Sequence, residues 1–223
     1  MEWDVANRLL MENKRLVMVY DCFTFFNEFD LLEIRLALHD SFVDYFVISE
    51  ADKTWTGGAK PLHLKQSLAR FSQYAHKIIL LDSSSVLSGN NPNPWKNEEE
   101  QRNYLANGIQ AIDDNDIVLL SDVDEIYDSK VIDVFQNMNG PARVEMSFYY
   151  YYFCWRVNEQ WTLPIIARKK DLANVSLNDW RQKSILTQTV DASKQNSLHL
   201  SFFYGNDVPL YSYKITNFNH QEY

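Results

Sequence analysis

Hydrophobic and polar positions alternate along the chain between short branched runs and helically spaced stripes. Leu16–Tyr20, Phe42–Ser49, Lys77–Leu81 and Asp116–Ser121 are compact apolar runs, several of them bounded by turn-forming residues, and read as buried strands of a parallel sheet. Helical patterns lie between them. After Asn27, an expected N-cap, Leu31, Ile34 and Leu38 form a stripe; residues 62–75 read as helical; Leu105, Ile109 and Ile112 mark a buried face that also carries Arg102. Further on, 130–138 reads as helix, Val144–Trp155 as one strand apolar on both faces, Trp161–Ala167 as a strand, 175–180 as a short helix, Ser197–Phe203 as a strand and 208–218 as a helix. Strands alternating with helices predict an α/β fold with a mostly parallel central sheet. A short amphipathic helix over 3–13 gives an N-terminal extension, 1–14, ahead of one domain, 15–223.

Composition narrows the function. The chain has 223 residues, enough for one substantial α/β domain, with 46% hydrophobic residues and a net charge of −9. A pI near 5.0 without a basic block argues against nucleic acid or an anionic membrane surface as the main partner. No apolar run approaches a membrane span and no signal sequence is visible, so a soluble, cytoplasmic protein is expected. Cys22 and Cys154 sit in apolar runs and read as reduced core thiols. Aromatic residues make up 14% of the chain, which suits carbohydrate faces as well as a core.

The chemistry centres on Ser121-Asp122-Val123-Asp124-Glu125-Ile126. The strand ending at Ser121 delivers Asp122 and Asp124 to its carboxyl end, where open α/β sheets bind ligands. Two carboxylates one residue apart can reach one hard cation shared with substrate phosphates. An aspartyl phosphatase also uses an Asp-x-Asp at a strand end, but continues differently and nearer the chain start. A calcium loop fails because Ile126 and Tyr127 stand where a ligand and the turn glycine belong. The loop after the first strand, with Asp21 and Glu28, and the loop after the second, with Glu50 and Lys60, also fall at strand ends. There Glu50 can accept from a base N–H and Lys60 can meet a diphosphate.

The ordered blocks Val19-Tyr20-Asp21-Cys22-Phe23-Thr24-Phe25-Phe26-Asn27-Glu28, Val47-Ile48-Ser49-Glu50-Ala51, Thr54-Trp55-Thr56-Gly57, Glu100-Gln101-Arg102, Asp116 to Ile126, His199-Leu200-Ser201-Phe202 and His220-Gln221-Glu222-Tyr223 resemble glycosyltransferase family 17. The resemblance implies a single-domain, A-type, Rossmann-like nucleotide-sugar transferase fold. It implies a UDP-sugar donor, with N-acetylglucosamine as the expected sugar, a glycan or glycoconjugate acceptor, a divalent metal (Mn2+, or Mg2+), and inversion at the anomeric carbon. On that basis Asp122, Asp124 and His199 are expected at the metal. Asp21, Glu28, Glu50, Lys60, Arg102 and Asp122 are expected around the donor. Asp179, Asp207 and Glu222 are the base candidates. Against the animal members of the family, the chain is expected to lack a membrane anchor and any extra acceptor-binding segment after the His block, and it has Leu198 where a Trp usually precedes the late His. A silent UDP- or sugar-binding module and the phosphatase are the competing readings.

Overall fold

The computed structural model describes residues 17–87, 93–182, 186–205 and 207–218. The expected N-terminal helix and Glu222 lie outside them. Eleven strands among the described residues form two sheets. The larger has the order β10-β6-β9-β4-β1-β2-β3, with β1 Val19–Thr24, β2 Tyr45–Glu50, β3 Ile78–Asp82, β4 Ile117–Asp122, β6 Ala142–Val144, β9 Ile165–Arg168 and β10 Thr189–Val190. Strands β3, β2, β1 and β4 run parallel, while β9 is antiparallel to both β4 and β6. The smaller sheet, β5-β11-β7-β8, combines β5 Glu125–Ile126, β7 Met146–Tyr150, β8 Arg156–Trp161 and β11 Leu198–Ser201. Helices α1 Phe29–His39, α2 His63–Gln66, α3 Pro94–Tyr104, α4 Lys130–Gln136, α5 Leu177–Gln182 and α6 Val208–Asn217 complete the α/β fold.

The parallel strands β1, β2 and β4 bury both faces, as their unbroken apolar runs require, while β3 at the sheet edge is half-buried. Phe23, Phe46, Ile48 and Leu119 belong to one core layer, and Cys22, Val47, Val118 and Leu120 to the other. The chain leaves β1 toward β2 and β3 on one side and reaches β4 on the other. The carboxyl ends of β1 and β4 therefore flank the topological switch point, where such sheets form their crevice.

Four local differences from the sequence pattern have physical causes. The α1 stripe is rotated: Leu31, Leu32, Arg35, Leu36 and His39 are buried, whereas Ile34 and Leu38 are exposed, because Arg35 and His39 are drawn inward by a buried carboxylate. Residues 62–75 form the single turn of α2 followed by a 3-10 segment. The aromatic run 144–155 is split between the two sheets at Glu145, and its second half is a turn in which Tyr152, Phe153 and Trp155 are exposed. Cys154 lies in that turn and is exposed, so only Cys22 is a core thiol.

Candidate active site

The site is built downward from the β4 carboxyl end. Asp21 lies inside β1, fully buried, and not in the loop beyond it. One of its oxygens accepts from Arg35 Nη2 at 2.5 Å; the other accepts from Arg35 Nε and His39 Nδ1, each at 2.8 Å. The Tyr127 amide donates to His39 Nε2, which makes Nδ1 the protonated nitrogen. Burial raises the Asp21 carboxyl, but Arg35 and His39 outweigh it and bring its pKa down to about 2. Arg35 then reaches across: Nη1 donates to the carbonyls of Asp122 (2.8 Å) and Glu125 (2.7 Å), and Nη2 to Ser121 Oγ (2.6 Å). Asp21 thus supports the acidic turn from beneath instead of facing a ligand.

On that turn the acidic residues take different partners. Asp122 Oδ1 accepts from Arg102 Nη2 at 3.1 Å and Oδ2 from Arg181 Nη2 at 2.5 Å. Arg102 also binds Glu98 and Asn178, and Arg181 forks onto Glu125 at 2.6 and 2.8 Å. Glu125 further accepts from the Asp122 amide at 2.7 Å and from the Trp161 indole. Burial acts against the charge of Asp122, but the two guanidinium groups dominate and hold its carboxyl well below the usual range.

Asp124 is held loosely. Its carbonyl accepts from the Leu200 amide at 2.8 Å, which fixes it against β11. Its carboxylate has Lys214 Nζ at 3.8 Å from Oδ2 and His199 Nε2 at 3.8 Å from Oδ1, both beyond hydrogen-bond length. Burial, opposed by Lys214 but reinforced by the carboxylates of Asp122, Glu125 and Glu28, pushes its pKa up to about 7. The His199 ring stacks on Phe148 (4.4 Å) and meets Trp161 at a tilt (4.3 Å), and burial brings its pKa down to about 3, so it is neutral. Lys214, on α6, is buried and also lies 3.4 Å from Glu28 Oε1. Glu28 Oε2 accepts from the Phe26 and Asn27 amides, holding the β1–α1 turn.

Of the residues expected from the sequence, Glu28, Arg102, Asp122, Asp124 and His199 converge here. The structure gives Asp122 to two arginines and leaves Asp124 facing His199. Glu50 and Lys60 form a separate buried pair at 3.6 Å, with Glu50 accepting from the amides of Leu64 and Lys65 at the start of α2. Asp179 is half-buried on α5, the helix that also supplies Asn178 and Arg181. Asp207 caps α6 by accepting from the Leu210 amide. Sequence reasoning missed Arg35, His39, Glu125, Trp161, Arg181 and Lys214. Their one legible signal is position: Arg35 and His39 stand four apart on one helix face, but no pattern marks that face as inward.

Among the described residues, no cluster of three or more His, Cys, Asp or Glu side chains is arranged around one point for a metal. The residues present still suit a divalent ion that completes its shell with phosphate oxygens. An Asp oxygen and an imidazole nitrogen 3.8 Å apart are within twice the ~2.1 Å bond to such an ion. The buried His199 Nδ1 has no hydrogen-bond partner, so no contact to that nitrogen fixes the ring's tautomer, and Nε2 is the nitrogen that faces Asp124.

Fold and site together define an α/β protein with a largely buried cluster of charged side chains at the switch point of its sheet. The profile of glycosyltransferase family 17 matches residues 6–223, and the chain belongs to that family. It is also similar to the β-1,4-mannosyl-glycoprotein 4-β-N-acetylglucosaminyltransferases of Homo sapiens and Rattus norvegicus, at 27% identity over 106 residues, and of Mus musculus, at 26%. These matches cover 45% of this chain and 20% of each relative. Membership in a family of glycosyltransferases favours a transferase over the phosphatase reading. Among the described residues no helix is long and apolar enough to cross a membrane.

Proposed function

We propose that the chain transfers N-acetylglucosamine from a UDP-sugar to a hydroxyl of a glycan acceptor, with inversion and with a divalent ion at the donor diphosphate. The observation that carries this reading is the loosely held Asp124 facing the neutral His199 at the β4 switch point, in a chain of family 17. Asp124 and His199 would hold the ion, which when bound neutralises charge on the departing diphosphate. Asp122 is clamped by Arg102 and Arg181. An ionised carboxylate has about four acceptor positions, and its side chain is 30% exposed, so it retains capacity for a ribose hydroxyl. The buried arginines keep it ionised and oriented.

Inversion requires a carboxylate on the face opposite the leaving group to take the acceptor proton. Asp179 fills this role best among the described candidates, because its helix already contributes Asn178 and Arg181 to the site. Asp207 uses an oxygen as a helix cap. The test is calorimetric titration of UDP with Mn2+ and with EDTA, followed by a donor-sugar screen. Metal-dependent UDP binding that Asp124→Asn abolishes supports the reading. UDP binding that neither EDTA nor Asp124→Asn changes would sink it.

A further inference from the structure

The cluster holds a charge that the proposed chemistry does not use. Asp122 is balanced by Arg102 and Arg181, Glu125 by Arg181, and Asp21 by Arg35. Asp124 and Glu28 instead share the ammonium of Lys214, which reaches in from α6 and is 3% exposed. Both contacts, 3.4 and 3.8 Å, are longer than charge-assisted hydrogen bonds of ~2.7–2.9 Å. The ammonium is therefore suspended between the two carboxylates, not seated on either. The rings of Phe218, Phe202 and Tyr204 surround it at 4.8, 5.3 and 5.5 Å, which favours a cation there.

We infer that Lys214 is the resident cation of the site, standing at one oxygen of Asp124 while a divalent ion would take the other, and thereby making metal binding depend on the nucleotide. The inference rests on the metal–diphosphate reading of Asp124 and His199. A divalent ion on Asp124 would stand within a few ångströms of a buried ammonium. In so dry a site that repulsion is weakly screened. Without nucleotide, the ion must bear this repulsion. A diphosphate brings negative charge that offsets both cations, so ion and nucleotide enter together.

The test is titration of Mn2+ into the full chain, with and without UDP, followed by calorimetry. Lys214→Met should bind Mn2+ in the absence of UDP at least tenfold more tightly than the wild type, and Lys214→Arg, which keeps the charge, should match the wild type. Lys214→Gln replaces the methionine variant if that protein does not fold. Equal or weaker binding by the uncharged variants, alongside UDP-dependent binding by the wild type, overturns the inference and leaves the metal reading standing. Failure of every variant to bind Mn2+, even with UDP, overturns both.

Discussion

Arg181 on α5 donates to Asp122 at 2.5 Å and, through both terminal nitrogens, to Glu125. One guanidinium thus ties together the two ends of the Asp-Val-Asp-Glu turn from a helix far along the chain. Its pKa is raised despite burial, because Asp122 and Glu125 face it. Removing one member of such a buried group leaves its partners as uncompensated charges. Arg181→Met should destabilise the fold by roughly 3–5 kcal/mol in urea unfolding and abolish UDP binding. A variant of wild-type stability would show that the turn does not need this clamp.

Asp21 acts the same way from below, and its stabilising contribution depends on pH. Its folded pKa of about 2 lies beneath the ordinary 3.8. The ionised group therefore contributes stability that is fully present above pH ~4 and lost as pH falls toward ~2. Asp21→Asn should cost several kcal/mol at neutral pH, and the gap to the wild type should narrow by roughly 2–3 kcal/mol across that acid window. Denaturant melts at a series of pH values read this directly; a gap independent of pH would contradict the arrangement.

His199→Gln should separate metal binding from folding. The imidazole packs against both Phe148 and Trp161, so its loss costs about 1–2 kcal/mol in packing. Mn2+-supported UDP affinity should fall by roughly 10–100-fold. Calorimetry with and without EDTA gives the second quantity and thermal unfolding the first.

Gly108 offers a test of the scaffold alone. It lies in the 3-10 turn Leu105–Ile109 packed on β2, and a Cβ there would come within 2.3 Å of Val47 Cγ1. Gly108→Ala should lower stability by about 1–3 kcal/mol through overpacking, seen as a reduced Tm. An unchanged Tm would mean that β2 and this turn sit further apart than described.

The sequence was informative where a single local rule decides the outcome. Short branched apolar runs bounded by turn signals favour buried strands, so β1 to β4 followed from pattern, although β3 lies half-buried at the sheet edge, and Asp122 and Asp124 fell at a strand end by simple counting. Arg102 was legible as inward because it shares the helix face of Leu105 and Ile109. The partner of each charge was not legible. Arg35 and His39 rotate α1 away from its apparent Leu31–Ile34–Leu38 stripe because a buried carboxylate on β1 binds them. A hydrophobic pattern carries no information about such a polar pairing.

The chain by itself thus determined an α/β sheet, its acidic turn and a resemblance to a transferase family, since each depends on local periodicity or on ordered short blocks. Only the tertiary structure decided that Asp122 is clamped by two arginines from different helices while Asp124 faces a histidine and a lysine. Charges far apart in sequence select their partners through distance and burial. In a dry site a difference of about 1 Å separates a carboxylate held ionised from one left available.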